Sequence, residues 1–218
     1  MTTLFCDVIL FDLDGTLVDS HIVVERQWRI WAARHGLDGD MLLGMVHGRK
    51  ADESMRMVAP HLDIAKEAAL LAAAETADLD GVVAIPGMSD LLRALPSDCW
   101  AIATSGSHSI ATARLKHVGL PAPNVLVTAD DVTNGKPAPD PYLLAARRMA
   151  KKPDQCVVIE DTPAGIESAL AAGMRVIGVI TTHQAADLQR ATAVQPVDKQ
   201  IRVTIGQNGS PRLRIDVP

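Results

Sequence analysis

Val8-Ile9-Leu10-Phe11-Asp12-Leu13-Asp14-Gly15-Thr16-Leu17-Val18-Asp19-Ser20 is the stretch on which this chain is organised. Its four leading apolar residues have the length and composition of a strand buried on both faces, as in a parallel sheet. They deliver Asp12 and Asp14 at positions i and i+2, which a regular strand would point the same way. Gly15 lets the chain peel away, so that the two carboxylates surround one point in different roles. Two carboxylates buried together without a cation are costly. A hard divalent cation, which takes oxygen ligands, is the simplest remedy.

Composition narrows the class. With 218 residues, 48% hydrophobic and 22% charged, the chain suits one sizeable domain, or a domain carrying a smaller insert. A net charge of −5, with no basic cluster larger than Arg147-Arg148 or Lys151-Lys152, argues against a nucleic-acid partner. Cys6, Cys99 and Cys156 each head an apolar run, the placement of buried, reduced thiols in a cytoplasmic protein. The N-terminus enters the first strand almost at once and leaves no room for a signal peptide. The alanine-rich segment near residues 65–77 is interrupted by Lys66, Glu67 and Glu75, so no membrane span is expected. A monomer is the default.

Beyond Ser20 the pattern is helical. Val24, Trp28, Trp31 and His35 recur at helical spacing before Gly36, and the tryptophans read as packing residues. Further helices are expected near Asp40 to Val46, Ser54 to Val58 and Ala65 to Thr76, with no strand between residues 18 and 82. From Ile85-Pro86-Gly87 onward, strands and helices alternate. Strands are read at Cys99 to Ala103, Asn124 to Thr128, Cys156 to Ile159 and Val176 to Ile180. Helices are read up to Val118, at Pro141 to Ala150 and at Ala164 to Ala172. The fold class is therefore α/β, a doubly wound parallel sheet with an inserted α-helical unit. Residues 1–17 and 84–218 form the core and residues 18–83 the insert, with a terminal hairpin at about 200–218 turning at Gln207-Asn208-Gly209-Ser210. Such sheets hold their chemistry at the carboxyl ends of the strands.

The polar motifs fall at those ends. Thr104-Ser105-Gly106 offers a hydroxyl and backbone N–H groups to an anion, although Ser and Thr cap helices everywhere. Gly135-Lys136-Pro137 presents one cation in a loop stiffened by proline. Glu160-Asp161 puts two carboxylates at another strand end, and with Thr162-Pro163 it equally suits a helix N-cap.

Asp12-Leu13-Asp14-Gly15-Thr16, then Thr104, Lys136 and Glu160/Asp161 in this order resemble the four motifs of the haloacid dehalogenase-like superfamily across nearly the whole chain. The resemblance implies Asp12 as nucleophile and Asp14 as general acid and base. It implies Thr104 and Lys136 on the phosphoryl oxygens, with Ser105 and Gly106 beside them. Mg2+ would be held by Asp12, the Asp14 carbonyl and Asp161, with Glu160 beside or outside them. The insert corresponds to a helical cap, where His47, Arg49 and Lys50 would meet the substrate. The local sequences are similar to the branch holding sugar phosphatases, 2-deoxyglucose-6-phosphatases and glycerol-phosphate phosphatases. The expected reaction is Mg2+-dependent hydrolysis of small phosphorylated sugars or polyols through an aspartyl phosphate. A β-phosphoglucomutase uses the same core residues, and a non-catalytic binding protein of this fold is the remote alternative.

Overall fold

The computed structural model describes residues 2–196, 201–206 and 212–217. The chain opens with strands β1 (Thr2–Cys6), β2 (Val8–Phe11) and β3 (Val18–Asp19). Four helices follow: α1 (His21–Arg34), α2 (Gly39–Val46), α3 (Ala51–Val58) and α4 (Ile64–Ala77). Next come β4 (Val83–Ala84), α5 (Met88–Ala94), β5 (Trp100–Ala103), α6 (His108–His117) and β6 (Leu126–Val127). The chain continues through α7 (Asp140–Arg148), β7 (Cys156–Glu160), α8 (Pro163–Ala171) and β8 (Arg175–Ile180). It finishes with β9 (Ala193–Pro196), β10 (Arg202–Ile205) and β11 (Leu213–Val217).

Six parallel strands stand side by side in the order β6-β5-β2-β7-β8-β9. Strand order reverses at β2, which pairs with β5 on one edge and β7 on the other, so a crevice opens at its carboxyl end. Every residue of β2, β5 and β7 is buried. Alternation divides β2 between two cores. Ile9 and Phe11 pack with Met88, Leu92, Ala111 and Leu115 from α5 and α6. Val8 and Leu10 pack with Tyr142, Ala145, Ile166 and Ala169 from α7 and α8 on the other face. Cys6, Cys99 and Cys156 are free and buried, and burial pushes the Cys6 and Cys156 thiols up to about 12.

Helices α1 to α4 have a core of their own, built from Trp28, Trp31, Leu42, Val46, Met55 and Leu71. The two tryptophans meet edge-on at 5.5 Å, as packing residues. Trp28 also reaches the wall of the central cavity. The helical unit joins the sheet through two chain crossings that pair with each other, Val18 with Ala84 and Asp19 with Val83. This corrects the expectation of no strand from residue 18 to 82. Two residues are too few for alternation to register in a sequence.

The terminal strands pair as expected and gain a partner that the sequence reading does not include. Strands β10 and β11 pair antiparallel, with Ile205 opposite Leu213, but the expected turn at Gln207 to Ser210 lies outside the described residues. Strand β11 in turn pairs along its whole length with β1, which the sequence reading passes over in favour of β2. The resulting three-stranded sheet turns Leu4, Leu213, Ile215 and Val217 into the α5/α6 core.

Candidate active site

Asp12 follows β2 directly, and its backbone N–H donates to the Ile159 carbonyl at 3.0 Å, so the ladder to β7 continues through it. The chain then turns sharply. Gly15 adopts φ 83°, and a Cβ there would run into the Asp161 carboxylate, so glycine is required on both counts. Thr104 stands just past β5, its N–H donating to the Val127 carbonyl at 2.9 Å and its Oγ1 accepting from Gly106 N–H at 3.0 Å. Glu160 ends β7, and Lys136 enters from the loop before α7.

These groups converge. The Lys136 ammonium, fully buried, donates to Asp12 Oδ1 at 2.5 Å and Glu160 Oε1 at 2.8 Å, and lies 4.9 Å from the Tyr142 ring centroid. Burial alone would lower the lysine, but the two carboxylates outweigh it and hold Lys136 well above its ordinary value. Glu160 Oε1 also accepts from the Tyr142 hydroxyl at 3.3 Å. Its Oε2 accepts from Asp161 N–H at 2.8 Å, Thr162 N–H at 2.7 Å and Thr162 Oγ1 at 3.0 Å. Glu160 is thus wholly engaged. Asp161 accepts from Thr16 Oγ1 at 3.1 Å and from Thr182 Oγ1.

Ligand oxygens of Asp12, Glu160 and Asp161 lie within 4.8 Å of one another, all three residues buried. Three carboxylates face one lysine, an uncompensated negative charge out of water. Burial, only partly offset by Lys136 and increased by Glu160, pushes Asp12 up to about 7. Burial, with Glu160 and Asp12 nearby, holds Asp161 well above the usual carboxylate range. A buried, all-oxygen, over-negative cluster fits a hard divalent cation. The Asp14 side chain lies outside it.

Asp14 belongs to a network that the motifs do not announce. Its Oδ1 accepts from Ser20 Oγ at 2.7 Å and from Arg114 Nη1 at 2.7 Å. Arg114, buried on α6, also donates through Nη2 to Glu75 Oε2 at 2.6 Å, and Glu75 comes from the last turn of α4. Further contacts seat the helical unit on the sheet. Ser105 Oγ donates to the Gly48 carbonyl at 2.8 Å, and Gly135 N–H donates to Glu53 Oε1 at 2.7 Å. Gly48, at φ 75°, lies so close to Thr162 that a side chain would overlap it.

A cavity of about 400 Å³ lies between sheet and helices, lined by Asp12, Asp14, Thr104, Ser105, Gly106 and Asp161 below. His47, Arg49 and Lys50 line it from the helical side. They differ in what they offer. Lys50 spends its ammonium on the Val132 and Thr133 carbonyls, at 3.0 and 3.5 Å. The His47 ring stacks on His21, and burial together with the imidazoles of His21 and His183 brings it down to about 4. Arg49 has no side-chain partner among the described residues.

Gly165, on the first turn of α8, has the Glu160 carboxylate where its Cβ would be. Gly165→Ala is expected to cost about 1–3 kcal/mol of stability, read as a lower denaturation midpoint. An unchanged midpoint would mean that Glu160 moves freely, against its five hydrogen bonds.

Known proteins are similar to this chain in sequence and fold. Residues 6–173 match the family model for haloacid dehalogenase-like hydrolases. Hexitol phosphatase A of Escherichia coli is 46% identical over 94% of this chain and 97% of its own length. The 2-deoxyglucose-6-phosphate phosphatase 2 of Saccharomyces cerevisiae is 34% identical over 97% of this chain and 95% of its own. Among solved structures, a hydrolase from Pseudomonas syringae superposes with a TM-score of 0.79 at 27% identity, over 87% of this chain and 93% of that one. Because the match runs through β2, the helical insert and β7 alike, the chain belongs to the haloacid dehalogenase-like hydrolases.

Proposed function

We propose that the protein is a Mg2+-dependent phosphomonoester hydrolase of small phosphorylated sugars or polyols. One observation carries this reading: Asp12 lines the cavity between sheet and helices, with Lys136 on one of its oxygens. The names of its relatives, a hexitol phosphatase and a 2-deoxyglucose-6-phosphate phosphatase, support the substrate class.

Asp12 attacks phosphorus in line, and the bond from phosphorus to the substrate oxygen breaks as Asp14 gives that oxygen its proton. Water then attacks the aspartyl phosphate, losing a proton to Asp14 and freeing Asp12 and phosphate. Lys136, Thr104 and the backbone of Ser105-Gly106 hold the phosphoryl oxygens and their charge. Asp12, Asp161 and the Asp14 carbonyl would hold Mg2+, with Glu160 fixing Lys136 and the Asp161 backbone from outside. Mg2+ when bound offsets the repulsion between a carboxylate and a phosphate dianion.

Residues 18–83 act as a cap over a core of residues 1–17 and 84–218, excluding water once substrate is bound. Arg49 and His47 face the leaving group, and Lys50, on the same wall, also ties cap to core. No helix among the described residues is long and apolar enough to cross a membrane.

The test is phosphate release from a panel of sugar, polyol and nucleotide monophosphates with Mg2+, alongside conversion of β-glucose 1-phosphate. Release from hexose or hexitol phosphates, abolished by chelator, is expected. Interconversion of glucose 1- and 6-phosphates with little free phosphate would make the protein a mutase and overturn the reading.

A further inference from the structure

A second group of ligand-type side chains stands beside the cavity, and the reaction above has no use for it as a group. His21 and Glu25 lie one turn apart at the start of α1, and His47 comes from the segment that follows α2. One ligand atom from each lies within 4.8 Å of the others. His21 Nε2 is 2.8 Å from Glu25 Oε1. The His21 and His47 rings stack with centroids 4.8 Å apart and planes 18° from parallel. His21 Nδ1 is shielded from solvent and has no hydrogen-bond partner among the described residues.

A His–Glu pair at i, i+4 is by itself an ordinary feature of a helix surface. One thing here goes beyond it: a third ligand, His47, comes from a distant segment to the same point. His47 is also fixed in place, since the adjoining Gly48 is packed on Thr162 and held by Ser105. Two imidazoles and one carboxylate form a donor set of borderline softness, suited to Zn2+, Co2+ or Ni2+ rather than to Mg2+. Tetrahedral ligands around Zn2+ sit about 3.3 Å apart, so side-chain rotation closes the remaining gap.

We propose that His21, Glu25 and His47 bind a transition-metal dication of the Zn2+ class at the mouth of the catalytic cavity, separately from the acidic cluster. The ion takes the position between His21 Nε2 and Glu25 Oε1, and the His21 ring proton moves to Nδ1. Both imidazoles line the cavity, and an ion between them narrows the substrate's path. Zinc therefore inhibits turnover with the acidic cluster still loaded, a consequence that rests on the hydrolase reading above; the binding itself does not.

Co2+ absorption of the full-length protein under saturating Mg2+ tests the site. The expected result is one visible d–d chromophore per chain, displaced by Zn2+, absent in His21→Leu and His47→Asn, and at least tenfold weaker in affinity in Glu25→Gln. His21→Leu keeps its Mg2+-dependent turnover and loses inhibition by zinc. A Co2+ chromophore that persists in His21→Leu, or none in the wild type under Mg2+, would overturn the site. Zinc inhibition undiminished in His21→Leu would trace it to the acidic cluster and overturn the inhibitory role. The optical readout stands whether or not any phosphate ester is hydrolysed.

Discussion

Asp12→Asn is expected to lower phosphate release by about 10,000-fold or more while the protein still folds. An amide has the shape of the carboxylate but lacks its charge and nucleophilicity. Its carbonyl oxygen still accepts from Lys136, and the backbone bond to Ile159 is untouched, so the strand end keeps its register. Electrostatics point the same way. Asp12 and Glu160 share one ammonium and Asp161 stands beside them, so neutralising one carboxylate relieves repulsion in the metal-free protein. The thermal midpoint without metal should therefore not fall, and the added stability that Mg2+ gives should shrink. Inactive protein with an unchanged melt supports the nucleophile assignment. Activity within tenfold of wild type would remove it.

What was readable in advance and what was not divides by sequence separation. Val8 to Phe11 announces a central strand because parallel strands are apolar on both faces, and the carboxylates after it fall where strand order reverses. Thr104 and Glu160-Asp161 are legible for the same reason, since each follows or ends an element whose local pattern is strong; Lys136, in the loop before α7, is legible only through its place in the ordered set of motifs. For Glu160-Asp161-Thr162-Pro163 the plain reading also holds, since Thr162 Oγ1 accepts from Gly165 N–H at 3.1 Å as the N-cap of α8. One short stretch thus caps a helix and lines the acidic cluster.

Arg114 gives no such sign. It stands in the last turn of α6 beside Lys116 and His117, where a cation complements the helix dipole and needs no further explanation. Its partners lie 100 and 39 positions away, and only the folded chain brings them together. Glu53 on Gly135 and Ser105 on Gly48 escape for the same reason, with separations of 82 and 57. The pairing of β1 with β11 spans nearly the whole chain. The carbonyl acceptors that Lys50 finds at Val132 and Thr133 are likewise invisible in a sequence.

Arg114→Met should separate packing from catalysis at this network. The guanidinium bridges Asp14 in the core and Glu75 in the cap while 2% exposed, and Glu75 is 6% exposed. Burial would lower Arg114, yet the two carboxylates hold it above its ordinary value, so the cation is secure. Methionine fills comparable space but leaves Glu75 buried without its counter-charge, a loss of about 3–5 kcal/mol. Adding Glu75→Gln should recover part of that loss, because a neutral amide is far cheaper to bury. The catalytic effect has its own signature. Arg114 donates to Asp14, the general acid of the proposed reaction, and so acts as a positioning residue in that reading. For an alkyl phosphate, whose alkoxide leaves poorly, kcat/KM should fall by about 100-fold or more. For p-nitrophenyl phosphate, whose phenolate departs without a proton, the fall should be under tenfold. Arg114→Lys should keep much of the stability but little of the discrimination, since an ammonium cannot reproduce the planar fork that meets both carboxylates. If both esters lose kcat/KM equally in Arg114→Met, the residue only holds the cap to the core, and the positioning of Asp14 must be sought in Ser20 instead.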